Sequence, residues 1–163
     1  MPVVTDESQR RSLSFENLDQ VVDDVRALQL HGYTAVGKWD LAQVCKHLVD
    51  WMRFPMDGFP EPSLIQRIFY ALIRVMIGRS LLKKILAKGE MSEGAPTAPA
   101  TVYPPGGDPS VAVDQLCDTI DRLQRHRGSF HPSPIFGAMD RDTLIRLQLI
   151  HCAHHLSFLL PAE

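Results

Sequence analysis

The sequence predicts an all-α fold, and three observations carry that prediction. Apolar residues recur at three- and four-residue spacing in four separate stretches, each bounded by a capping residue or by Pro and Gly. No segment shows the alternation expected of a strand. The chain has 163 residues, 45% hydrophobic and 22% charged, so it can bury one core of its own. The expected architecture is a four-helix bundle with an extra basic helix between the second and third bundle helices. It forms a single domain over residues 13–163 behind a flexible N-terminus, residues 1–12.

The first helix follows from Leu18, Val21, Val22, Val25 and Leu28, with Ser14 as its expected N-cap and Gly32 just past its end. A second helix starts near Asp40 on the stripe Leu41, Val44, Leu48 and Trp51, and Pro55, Gly58, Pro60 and Pro62 are expected to break it. Residues 64–86 form a long apolar stretch interrupted by Arg67, Arg74, Arg79, Lys83 and Lys84, so it is no clean membrane span. It carries charge of one sign only. The expectation is a core helix whose basic side faces solvent, kinked or broken at Gly78; attachment to a membrane surface is the alternative. The Pro- and Gly-rich loop 89–109 is long for a compact domain, and is either a packed cover or a mobile segment. Asp108 or Ser110 caps the third bundle helix, with the stripe Val113, Leu116, Cys117, Ile120 and Leu123, and Gly128 ends it. The last helix runs from about Asp140 to Leu160 and stops at Pro161.

Composition excludes several functions. Seventeen Lys+Arg against nineteen Asp+Glu leave a net charge of −2, without the basic excess of a nucleic-acid binder. Cys45, Cys117 and Cys152 contain no CxxC pair and are too few for a disulfide framework. With no apolar leader in MPVVTDESQRRSLSF, a cytoplasmic setting is expected.

The histidines carry the chemistry. The inward stripe of the last helix runs Leu144, Leu147, Ile150 or His151, then His154 or His155, which sets imidazoles at or beside positions where periodicity expects Leu or Ile. His151 and His155 are four apart and project from one face. In the second helix His47 lies beside Leu48 on the same kind of stripe. Burying neutral imidazoles without partners costs roughly a few kcal/mol each. A divalent ion held by His47, His151 and His155 would supply the partner, leaving a position for water or substrate. The competing reading is ordinary: a lone inward histidine is more often a hydrogen-bonded core residue than a ligand, and both readings stay open on spacing alone. Gln148, His154 and Cys117 are candidate pocket residues, although a plain buried thiol also explains Cys117. His31, His126 and His131 fall in loops or at helix ends and are assigned no chemistry. A zinc protease would need Glu after the first histidine, where this chain has Cys152.

Around His47 the segment KWDLAQVCKHLVDWM resembles the Trp-to-His-Leu helix of the DinB/YfiT-like superfamily. The C-terminal HPSPIFGAMDRDTLIRLQLIHCAHHLSFLLP resembles an uncharacterised bacterial branch of it, as does the loop KGEMSEGAPTAPA. The likeness runs from about Asn17 to Pro161. It implies a four-helix bundle with a metal in its core, one ligand from the second helix and an HxxxH pair from the last, and these roles fall on His47, His151 and His155. It further implies a divalent ion, zinc or nickel first, and a transferase using a low-molecular-weight thiol on a small-molecule substrate. A homodimer is also implied. The alternatives are a metal-hydroxide hydrolase and a non-catalytic interaction or sensing module, in which the basic segment would be the partner surface.

Overall fold

Side-chain caps fix where the helices begin. Asn17 accepts from the Gln20 amide and starts α1 (Leu18–His31), three residues later than the Ser14 cap expected from sequence. Asp40 starts α2 (Leu41–Asp57) in a reciprocal capping box, its side chain taking the Gln43 amide while Gln43 takes the Asp40 amide. Ser63 builds the same box with Gln66 at the head of α3 (Leu64–Ile73). Five π-wound residues, Arg74–Gly78, then join α3 to α4 (Arg79–Lys88) without breaking the helical path. Asp108 and Pro109 begin α5 (Pro109–Arg125), and Asp140 begins α6 (Arg141–Leu156). These elements come from a computed structural model, which describes residues 10–92 and 97–162. Residues 1–9 of the expected flexible N-terminus and 93–96 of the long loop lie outside the described residues. Arg11 is pinned, its guanidinium forked onto Asp24 at 2.7 and 2.5 Å.

The fold is mostly helical, as expected. α1, α2, α5 and α6 enclose the larger core, built from residues such as Val21, Leu41, Leu48, Leu116, Ile120 and Leu156. A smaller cluster joins Ile85 of α4 to Leu147 and Ile150 of α6. Thus α6 is buried on two sides, and its apolar residues encircle it instead of forming one stripe.

Four expectations are corrected. Strands do occur: β1 (Tyr33–Ala35) pairs antiparallel with β2 (Leu159–Pro161), Tyr33 opposite Pro161 and Ala35 opposite Leu159. Three residues are too few for alternation to register. Accordingly α6 ends at Leu156, because Leu159 leaves the helix to enter the main core. The second helix passes through Pro55 to Asp57. Proline has no N–H for the Trp51 carbonyl, but Gln148 Nε2 donates to that carbonyl at 2.9 Å instead. Finally, the 64–86 segment is not a core helix. Every residue of α3 is at least partly exposed, and its apolar side chains face outward, Ile65 at 80%. Gly78 is explained by close approach, since a Cβ there would lie 2.2 Å from the Ile135 carbonyl oxygen.

Candidate metal centre

Three helical turns deliver the site. His47 sits in the middle of α2, 2% exposed, on the face that packs toward α6. His151 and His155 lie one turn apart near the end of α6. Their ring nitrogens converge: His47 Nε2 is 3.2 Å from His151 Nε2, which is 3.1 Å from His155 Nε2. One nitrogen from each residue lies within 4.8 Å of the other two. Three nitrogens at 2.0–2.1 Å from a tetrahedral ion would stand about 3.3 Å apart, so the three histidines lie close enough to bind one metal ion.

The protonation states agree. His47 Nδ1–H donates to the Thr101 carbonyl at 3.1 Å, which leaves the Nε2 lone pair free. Burial, the largest cause, lowers the His47 pKa to about 4, against a weaker upward pull from the Thr101 hydrogen bond. Burial likewise pushes His151 and His155 well below the ordinary histidine range, with mutual repulsion in the same direction. All three are neutral at pH 7. A nitrogen of His151 carries one proton at most and cannot bond well to both neighbours at once. A cation satisfies all three lone pairs together.

Aromatic rings wall the cluster. Trp39 stacks on His155 at 5.2 Å and 9°, and also reaches His47 at 5.0 Å. Trp51 meets His151 edge-on at 5.8 Å. The long loop supplies a packed cover along α2: Tyr103 hydroxyl donates to Asp50 at 2.5 Å, and Gln43 Nε2 donates to the Tyr103 carbonyl at 2.6 Å. Desolvation, followed by that Asp50 bond, raises the Tyr103 pKa to about 12. Gly106 donates its amide to Asp40 at 3.0 Å. This loop brings Thr101 onto His47.

The candidate pocket residues separate. Gln148 lies 4% exposed one turn before His151, bonded to Trp51 through its nitrogen; its Oε1 and the Trp51 Nε1 are buried without hydrogen-bond partners among the described residues. His154 abuts His155 at 4.9 Å and also lines a cleft of about 560 Å³ with Arg11, Glu90 and Met91. Cys117 is found at the α1–α5 seam, among Arg26, Asp114 and Asp118. Burial raises all three thiols, Cys45 and Cys152 most strongly.

Thr101, Trp39 and Trp51 were not singled out as site residues from sequence. A backbone carbonyl contributed by a distant loop leaves no residue signature. Trp39, immediately before the Asp40 cap, was visible only as part of the motif around His47.

Residues 7–162 match the family model described as "Protein of unknown function (DUF1569)". The chain belongs to the DUF1569 family. No curated protein and no solved structure matches it. The DUF1569 description names no activity.

Proposed function

We propose that this DUF1569 protein is a divalent-metal-dependent enzyme acting on a small molecule, with thiol-dependent group transfer as the preferred reaction. The observation that carries the reading is the convergence of three neutral, lone-pair-bearing imidazole nitrogens at ligand spacing. His47, His151 and His155 would hold the ion. An all-imidazole set suits zinc or nickel. When bound, such an ion supplies Lewis-acid activation of a thiol or of water.

The surrounding residues fit that use. Thr101 fixes the His47 tautomer and ring orientation. Trp39 and Trp51 wall the half-buried rings of His155 and His151. Near the cluster, Trp51 Nε1–H and Gln148 Oε1 are buried without a hydrogen-bond partner among the described residues, one donor and one acceptor left unsatisfied. A closed structural site would use four protein ligands, so three ligands beside orphaned polar atoms favour catalysis over a purely structural ion. The chain's own thiols are held protonated by burial, which favours a nucleophilic thiol brought from outside. The packing of α2 and α6 against α1 and α5 supports the four-helix, DinB/YfiT-like arrangement implied by the sequence resemblance.

Zinc- and nickel-loaded protein is assayed with an external thiol and an electrophile, and in parallel with an activated ester and no thiol. Thiol-dependent turnover that disappears on chelation and in His151→Ala is the expected result. Thiol-independent ester cleavage with the same dependence would replace the transferase by a hydrolase. A fully loaded protein inactive in both arms would overturn the enzyme reading.

A further inference from the structure

The segment from α3 through α4 is unlike the rest of the molecule in both exposure and charge. Along α3 and the π-wound turn, Leu64, Ile65, Ile68, Phe69, Leu72 and Met76 are each more than half exposed. Their spacing of one, four, five, eight and twelve residues from Leu64 makes a continuous stripe on one side of the helix. Six of the chain's seventeen Lys+Arg fall within residues 64–88, and none of its nineteen Asp+Glu. All six cations, including Arg67, Arg79, Lys83 and Lys84, are exposed. The helix is fastened to the body elsewhere, where Gly78 meets the Ile135 carbonyl, Ile85 packs with Leu147 and Ile150, and Arg146 holds the Leu86 carbonyl at 2.8 Å. Its outward apolar side takes no part in that attachment.

We propose that the α3–α4 arm lies flat in the surface of an anionic membrane, with the Leu64–Met76 stripe in the acyl boundary and the basic side chains on lipid phosphates. The charge pattern selects this occupant. A second copy of the chain, packed stripe against stripe, would set two wholly basic helices side by side with no acidic residue on either to compensate. An anionic lipid surface complements both the apolar stripe and the one-signed charge. The arm binds at the surface and does not span, since no helix among the described residues is long and apolar enough to cross a membrane. The proposal is independent of the histidine cluster.

The test is co-sedimentation of the full chain with vesicles of phosphatidylcholine alone and of phosphatidylcholine containing phosphatidylglycerol, at low and high salt. The expected result is binding to the mixed vesicles that weakens on salt addition, with far less on phosphatidylcholine alone. Removing Lys83 and Lys84 together, as Ala, weakens it about 25-fold, taking each cation as a factor of about five. Phe69→Ser weakens it about tenfold. These side chains are exposed, so both variants retain the wild-type melting temperature. No bound fraction on the mixed vesicles at low salt overturns the proposal. So does binding that both variants leave unchanged, or a dimer in sedimentation velocity that Phe69→Ser dissociates.

Discussion

Acidifying the metal-free protein from pH 7 to pH 5 lowers its stability, and the magnitude follows from His47. Its pKa in the folded chain is about 4, against 6.5 for an ordinary histidine. Between those values the unfolded chain holds the proton and the folded chain does not, so acid favours unfolding. The loss is absent above the unfolded value, grows as pH falls through 6.5, and levels off below about 4. At pH 5 it amounts to about 2 kcal/mol from this one residue, since His47 is buried and unscreened. His151 and His155 are lowered by the same burial and add in the same direction. For a domain of this size, about 2 kcal/mol displaces Tm by roughly 4–8 °C. The assay is thermal unfolding in chelator across that pH interval, with His47→Gln as the control that removes one proton from the linkage. Carboxylates titrate mainly below the interval, which isolates the imidazoles. A Tm unchanged between pH 7 and pH 5, or a slope identical in His47→Gln, would refute the reasoning.

Three further outcomes follow from the packing. Gln148→Leu strands the Trp51 carbonyl that Pro55 cannot serve, and destabilises the metal-free protein by about 1–3 kcal/mol in urea unfolding; an unchanged midpoint would show that the bond contributes nothing. Gly78→Ala drives a methyl into the Ile135 carbonyl and costs about 1–3 kcal/mol by the same measurement, whereas an exposed, unpacked helix would gain from the change. Trp39→Ala frees the His155 ring and weakens zinc binding about tenfold by competition with a chromophoric chelator, and an unaltered affinity would deny Trp39 a positioning role.

The legible part of the site was the part that broke a pattern. His47, His151 and His155 stood at or beside positions where helical periodicity calls for aliphatic residues, and polar groups on a buried stripe demand a partner. The start of the second helix near Asp40 was legible because a cap and the turn it serves are adjacent in sequence. The carbonyl of Thr101 was not, since it meets His47 across 54 residues of chain through a loop whose path no local rule prescribes. Pro55 was misleading because the compensating donor, Gln148, comes from another helix. The α3 stripe was misread because amphipathicity shows that a helix has an apolar side without saying what covers it. In α6 the two flanking clusters spread apolar residues around the helix and blurred the single stripe expected there.

The central claim is that three imidazoles from α2 and α6 form one metal site. Elemental mass spectrometry of untagged protein after zinc or nickel incubation and desalting tests it, alongside His47→Ala, His151→Ala and His155→Ala, each first shown to be folded by circular dichroism. The account predicts about one ion per chain in the wild type and loss of that ion in each folded variant. A wild type that retains no metal, or folded variants that retain a full equivalent, would contradict it and leave the three histidines as polar residues of the core.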